Sequence, residues 1–270
     1  MCGIFAYLGH NHLSIAEALK ILHILETEQE LDEKTPVGGH GAGIAYLNQR
    51  NKLTLAKVGK THDSPTDNLK LSLRETKATS QLILGHVRRA SPEFIDTIRY
   101  SECTQPYKPS CTHSFSFVSA HNGKVQNYLE LKNKLNPSHR FESQKVQLID
   151  SEVIAHLFEE LLSKSKDPTK ATHALFEQII GSDTQGNTVV LIHTKQKQAH
   201  LNVIQKGRTR GLVIWTNPKG EALLCSRQQP TEKILHKLIT KNNFQKTIKV
   251  NRTDSVNIET HFNLTLSKTT

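Results

Sequence analysis

Met1-Cys2-Gly3-Ile4-Phe5-Ala6-Tyr7-Leu8-Gly9 is the stretch from which the rest of the chain is read. Residues 3–8 predict a short β-strand closed by Gly9. Just before that strand stands a cysteine. Once Met1 is removed, Cys2 carries a thiol and a free α-amine on one carbon, a nucleophile with its own base. The reference pKa of such an amine is about 7.7–8.0 and that of a thiol about 8.5. Near neutral pH the amine therefore takes the thiol's proton directly or through a water, and no distant His is needed. A lone Cys near a chain start says little. Its meaning depends on partners further along.

The remainder of the chain can bury a substantial core. It has 270 residues, 36% of them hydrophobic, with 15 His and a formal net charge of +10. That length suits one large β-rich or mixed unit. The longest apolar runs, such as Val189-Val190-Leu191-Ile192, fall far below the roughly 18 residues of a membrane span. No basic region followed by a long apolar stretch opens the chain, so no signal peptide is read. The four cysteines (Cys2, Cys103, Cys111, Cys225) show no CxxC spacing, which suits a reducing compartment, and the expected location is cytoplasmic. The lysines and arginines are scattered among polar neighbours, without zinc-finger spacing or an aromatic RNA-binding string. A solvated basic surface is expected rather than a nucleic-acid interface.

Apolar periodicity predicts a helix over about 14–29, with Ile15, Leu19, Leu22 and Leu25 on one face, and an antiparallel hairpin from strands 44–47 and 53–58. A polar helix-like piece over 67–75 precedes an apolar strand at 81–87. Pro92, Pro106 and Pro109 mark 89–113 as a long loop, and long loops inside compact units are usually functional. A strand over 114–120, in which Phe115 and Phe117 alternate with serines, ends at His121-Asn122-Gly123. Helices follow near 127–135, from about 149 onward and over 170–180. Strands are expected at 188–193, 200–204, 212–216 and 222–225, and a helix at 233–239. The last thirty residues are polar and basic, and no element is read there.

Several strand ends carry residues with two readings. Arg88 is an ordinary solvated strand end or, through its guanidinium fork, a bidentate ligand for an amino-acid carboxylate. Asn122-Gly123 is a turn or an oxyanion hole, with the Asn amide and the Gly N–H as donors and the missing side chain admitting a substrate. Asp150 is a helix-start residue, favourable against the helix dipole, or the acceptor of a substrate ammonium. Gly59-Lys60-Thr61 mimics the end of a phosphate loop, but Thr54 stands where that motif needs a glycine. Together the first three, with Cys2, supply what an α-amino acid with an amide side chain requires: a nucleophile, oxyanion donors, a cation and an anion.

These segments also resemble a family. The runs 1–7, Gly41-Ala42-Gly43-Ile44, Gly85-His86-Val87-Arg88, His121-Asn122-Gly123 and 149–154 occur in the order seen in class II glutamine amidotransferase domains, which are N-terminal-nucleophile hydrolases. The resemblance is clear over about 2–160 and looser over 186–228. It implies an α+β fold, a four-layer αββα sandwich of two antiparallel sheets between helical layers. One glutamine amidotransferase type-2 domain over 1–270 is expected, with about 230–270 as a C-terminal extension. The resemblance also implies roles: Cys2 as nucleophile, Asn122 and Gly123 as oxyanion hole, Arg88 as carboxylate clamp and Asp150 as ammonium ligand. In the sugar-phosphate synthases of the family a Trp-Ala-Thr-His-Gly lid follows the Arg. Here Arg89-Ala90-Ser91-Pro92-Glu93 follows, in which Ser91 replaces the Thr hydroxyl while the Trp and His are missing. The pattern is closer to stand-alone members.

The expected activity is hydrolysis of the glutamine side-chain amide through a γ-glutamyl thioester. Ammonia would pass to a separate synthase subunit, and no cofactor or metal is expected. Two other readings stay open: a hydrolase of another γ-glutamyl amide or peptide, and a non-catalytic glutamine-sensing or nucleic-acid-binding module.

Overall fold

Strand β1 (Gly3–Ser14) has neighbours on both edges and buried side chains on both faces. A computed structural model describes residues 2–29, 36–73, 78–111, 116–182 and 184–266. Met1, Glu75, His113, Ser114 and Phe115, on which parts of the sequence reading fall, lie outside them. Successive strand residues point to opposite faces. Ile4, Ala6 and Leu8 thus enter one apolar layer, and Phe5 and Tyr7 another.

The first layer lies between two sheets. One sheet contains β1, β2 (Gly41–Leu47), β3 (Leu53–Gly59), β4 (Thr79–Val87), β8 (Leu212–Thr216), β9 (Ala222–Cys225) and β10 (Gln245–Val250). Their order is β10-β8-β9-β1-β4-β2-β3. The other contains β5 (Ser116–Gly123), β6 (Asn187–Lys195), β7 (Gln198–Arg208) and β11 (Ser255–Thr265), in the order β11-β7-β6-β5. All neighbouring strands are antiparallel. Ile4, Ala6, Leu82 and Leu84 of the larger sheet share a buried cluster with Val118, Ala120, Val190, Ile192 and Val203 of the smaller one.

Helices cover the two outer faces. On the larger sheet lie α1 (Ile15–Thr27), α2 (Pro65–Ser72) and α6 (Gln228–Lys241), which bring Leu22, Leu69 and Leu235 against Phe5, Ile44, Ile83 and Trp215. On the smaller sheet lie α3 (Tyr128–Lys134), α4 (Asp150–Ser165) and α5 (Pro168–Gln178). Their Leu131, Ile154, Phe158 and Leu175 meet Phe117, Val189, Leu191 and Ile204. Each fully buried Leu, Ile or Phe contributes about 1.5–3 kcal/mol relative to exposure, so these three layers are the main source of cohesion. The order of layers is αββα, as the sequence reading expects. Among the described residues no helix is long and apolar enough to cross a membrane.

Most expected elements are present with shifted ends, and three readings are corrected. Gly9 does not close the first strand. After an irregularity beyond Leu8 the pairing resumes, with Leu13 opposite Ser80, and α1 starts only at Ile15, where Ser14 Oγ accepts from Ala16 N at 3.2 Å. The loop after Arg89 is not without structure: it contains 3-10 turns at Pro92–Thr97 and Ser101–Cys103, and Tyr107 bridges to Ser119. Residues 245–265, where no element is read from the sequence, contain two strands. β10 and β11 form an edge of the larger and of the smaller sheet, and Val256, Ile258, Phe262 and Leu264 turn toward the inter-sheet layer. Their period of two is visible in the sequence, but an edge strand that buries only one face keeps a polar composition.

Gly43 in β2 fixes where the loop lies. A Cβ there would stand 2.2 Å from the carbonyl oxygen of Gln105, backbone against backbone. Gly43→Ala is therefore expected to lower stability by about 1–3 kcal/mol. An unchanged urea midpoint would show that the loop gives way freely.

Candidate active site

Antiparallel pairing gathers the site. Because Gly3 faces Val87 in the β1–β4 register, the residue before β1 lies beside the residues after β4. Arg89 N accordingly donates to Cys2 Sγ at 3.3 Å, the kind of contact a thiolate accepts. From the facing sheet, β5 ends at the same edge with Asn122 and Gly123. The Asn122 Nδ2 group donates to the Cys2 carbonyl at 2.7 Å and ties the two sheets together there. α4 adds its first residue, Asp150. A cavity of about 310 Å³ is lined by all six nominated residues: Cys2, Arg88, Ser91, Asn122, Gly123 and Asp150.

Each is held by its surroundings. The Asn122 amide has two N–H donors. The Cys2 carbonyl takes one, so the other remains for a ligand oxygen. Gly123 has φ +153, and a Cβ there would meet the Gly186 carbonyl oxygen at 2.2 Å. Close backbone packing against the start of β6 thus requires this glycine, in addition to the substrate approach that the sequence suggests. The Arg88 guanidinium is buried, and two of its five donors bind Thr97, at 3.2 Å to the carbonyl and 2.6 Å to Oγ1. This fixes the plane of the fork. Asp150 Oδ2 accepts from Val125 N at 3.0 Å and Oδ1 from Ser151 N at 2.8 Å, so the carboxylate stands still at the helix start. Ser91 Oγ turns to Glu93 Oε1 at 3.3 Å. Glu93 in turn pairs with Lys124 at 2.7 Å, pinning the 89–94 segment over the end of β5.

Beneath the cavity lies a polar network to which the sequence reading gave no role. His121 Nε2 bonds Asn187 Oδ1 at 2.8 Å and His121 Nδ1 bonds Ser151 Oγ at 2.9 Å. Gln105 closes it: its Oε1 accepts from His121 N at 2.6 Å and its Nε2 donates to the His121 carbonyl at 3.0 Å. With an amide oxygen opposite Nε2, the proton belongs on Nε2, and Ser151 then donates to Nδ1. Burial lowers the His121 pKa, against the opposing effect of Asp150. The ring is a neutral strut at pH 7. His121 and Ser151 lay within the quoted motifs, but Gln105 and Asn187 are far away in sequence and carry no local signal.

Arg210 is a second omission. It follows β7 and lines the same cavity, adding a cation to Arg88, Arg89 and Lys124. Burial and the nearby Arg252 and Arg208 lower its pKa, yet an arginine stays charged. Cys103 and Cys111 are outside the cavity lining. Cys103 is buried, 3.9 Å from the Gln147 carbonyl, and Cys111 lies 3.8 Å from His156 Nδ1. Gly59-Lys60-Thr61 leaves β3 with Lys60 N bonded to the Ile98 carbonyl at 2.7 Å, outside the cavity.

A thiol at residue 2, placed at the edge where two face-packed antiparallel sheets meet between helices, is the architecture of N-terminal-nucleophile hydrolases. Comparisons with known proteins agree. No family model matches the sequence. The glutamine–fructose-6-phosphate aminotransferase (isomerizing) of Helicobacter pylori is 30% identical over 201 residues, 74% of this chain and 28% of that protein. Its namesake from Fusobacterium nucleatum is 31% identical over 162 residues, 60% of this chain and 23% of that protein. The chain thus spans about a quarter of the length of the curated relatives it matches. In fold it is similar to the glutamine phosphoribosylpyrophosphate amidotransferase of B. subtilis. The TM-score is 0.62 at 19% identity, over 93% of this chain and 45% of that one. The chain belongs to the class II glutamine amidotransferases, an enzyme family of the N-terminal-nucleophile hydrolase class.

Two histidines around the site, His86 buried and His40 half-buried, set a pH dependence. Burial pushes His86 from 6.5 down to about 3, with Arg88 and His121 adding to it. Burial also lowers His40 to about 4, helped by Arg89, Lys60 and Arg88, and His40 Nδ1 accepts from Ala90 N at 3.1 Å. Between about 6.5 and these values the unfolded chain binds more protons than the folded one. Stability is therefore full above pH 6.5 and falls as the pH drops toward 4, by about 1.4 kcal/mol per pH unit for one fully buried group such as His86. Urea midpoints measured from pH 7 to 4.5 are expected to decline steadily. A flat profile would mean that these rings are not held neutral.

Proposed function

We propose that this chain releases ammonia from the side-chain amide of glutamine, with Cys2 as nucleophile and its own α-amine, freed by loss of Met1, as base. The Asn122 contact to the Cys2 carbonyl, 2.7 Å long, carries the reading, because it sets an amide donor beside the only residue able to be both nucleophile and base. The amine takes the thiol proton, and the thiolate adds to the amide carbon. The resulting oxyanion is held by the second Asn122 N–H and the Gly123 N–H. Collapse expels the amide nitrogen, which leaves as ammonia with the proton carried by the amine. Water, deprotonated by the same amine, then cleaves the γ-glutamyl thioester to glutamate and restores the thiol. In this reading Arg88 grips the α-carboxylate, Asp150 the α-ammonium, and Ser91 gives a hydroxyl from above.

The size of the cavity supports a small amino acid as substrate. At about 310 Å³ it stands at the lower end of the roughly 300–1,000 Å³ usual for ligand sites. The cations around it suit a substrate carboxylate and an acidic product. The relatives' names join glutamine to a sugar-phosphate acceptor, which supports transfer of the ammonia onward. We assign the acceptor to a separate synthase subunit. The four free thiols suit a reducing, cytoplasmic setting.

Labelling and kinetics test this. 6-Diazo-5-oxo-norleucine is expected to label Cys2 alone, as mapped by peptide mass spectrometry, and Cys2→Ser to abolish ammonia release. Labelling elsewhere, or an active protein that retains Met1, refutes the mechanism. Asn122→Ala is expected to lower kcat by about 10²–10³-fold through loss of one oxyanion donor. Arg88→Lys is expected to raise KM for glutamine by roughly 10–100-fold, since hydrogen bonds to charged groups contribute about 1.5–3 kcal/mol. Faster release of an amine from a γ-glutamyl peptide than of ammonia from glutamine would favour the hydrolase reading. Glutamine binding without turnover would favour a sensor.

A further inference from the structure

Far from Cys2, the other half of α4 carries a second cluster. His156 and Glu159 lie on one face of the helix, three residues apart. His139 approaches from the segment after α3, and Cys111 from the end of the loop that roofs the cavity. The His139 and His156 Nδ1 atoms are 3.1 Å apart. Glu159 Oε2 is 3.3 Å from the first and 3.4 Å from the second. Cys111 Sγ is 3.8 Å from His156 Nδ1. One ligand atom from each residue, two nitrogens, one oxygen and one sulfur, lies within 4.8 Å of every other.

Four of the separations, 3.1, 3.3, 3.4 and 3.8 Å, are close to the edges of a coordination tetrahedron, and the others, from Cys111 to His139 and Glu159, stay within 4.8 Å. Zinc bonds of about 2.0–2.3 Å to N, O and S ligands give edges of about 3.3–3.7 Å. A single proton between the two imidazoles would account for one contact of the set, whereas a cation at the centre accounts for all four. The outer partners point the same way. Ligand histidines usually turn their second ring nitrogen toward a carboxylate. His139 Nε2 faces Glu160 Oε2 at 3.4 Å, and His156 Nε2 faces Glu152 Oε1 at 3.8 Å. Arg140 N donates to Cys111 Sγ at 3.2 Å, as a bound thiolate would accept. The two rings and Glu159 are buried, while Cys111 is half-buried beside a cleft of about 540 Å³ through which an ion can enter.

We propose that Cys111, His139, His156 and Glu159 bind one divalent cation of the zinc type, closing a four-ligand structural site. The ion joins the roof loop and the segment after α3 to α4, whose first residue lines the active cavity. Binding displaces the Cys111 thiol proton to solvent. The proposal is independent of the glutaminase chemistry, and its test does not read activity.

The test uses the full-length, tag-free chain carrying Cys2→Ala, so that the half-buried Cys2 thiol contributes nothing. After chelation, titration with Co²⁺ is expected to reach one equivalent per chain, with tetrahedral d–d bands and a thiolate-to-cobalt charge-transfer band. Zn²⁺ is expected to displace the cobalt and to protect Cys111 from iodoacetamide, which is read at the mapped peptide without any variant of the cluster. Cys111→Ser is expected to abolish the charge-transfer band, and Glu160→Gln to weaken cobalt binding about 10-fold or more. Substoichiometric uptake without that band, a band that survives Cys111→Ser, or alkylation of Cys111 unaffected by Zn²⁺ would each overturn the proposal.

Discussion

The structure depends on one constraint, the burial of β1 on both faces and along both edges. Ile4, Ala6 and Leu8 belong to the inter-sheet layer, while Phe5 and Tyr7 belong to the layer under α1. A slip of one residue would exchange the two sets, placing Tyr7 between the sheets, so the register is fixed firmly. With that register the residue before the strand has a single place, at the edge of the sheet beside the end of β4. The proposed nucleophile is positioned by the core and not by a loop. Hydrogen bonding completes the arrangement, because the Cys2 carbonyl receives the Asn122 amide from the opposite sheet.

Support for the site comes from buried polar groups that bond one another. The His121 ring, Ser151, Gln105 and Asn187 form a closed set between β5, β6, the loop and α4. Leaving one such group unpaired costs about 1–3 kcal/mol, so the set resists distortion. Each member reaches a different segment, and together they hold the end of β5, the start of α4 and the base of the loop in one relation. The neutral state of His121, favoured by its burial, keeps an additional charge out of this set.

α4 is the common element of the two polar regions. Its first turn presents Asp150 to the cavity, and its later turns present His156 and Glu159 to Cys111 and His139. Glu152 also accepts from Glu142 N, Ser143 N and Ser143 Oγ, so the segment after α3 is fastened to the helix from two directions. The loop from Arg89 to Cys111 is held along its whole length. Glu93 pairs with Lys124, Gly43 admits the Gln105 carbonyl, Tyr107 bridges to Ser119, and Cys111 meets the helix.

Much of the fold was legible in the chain itself. Apolar periodicity of two and of three to four marked nearly every core element, because side chains that face a layer must be apolar whatever surrounds them. The six nominated residues stood out through chemistry at strand ends, and all six line one cavity. What the sequence could not express was distance across the fold. Arg210, Gln105 and Asn187 serve the site from three separate segments, and their neighbours carry no local mark of it. β11 was hidden because an edge strand needs only one apolar face. The Cys111–His139–His156–Glu159 cluster spans three elements with no regular spacing. Sequence therefore determined most of the strands and helices, the layers through the family resemblance, and the residue proposed as nucleophile. Only tertiary packing decided which distant polar groups meet, because a hydrogen bond or a coordination geometry is a property of positions in space and not of order along a chain.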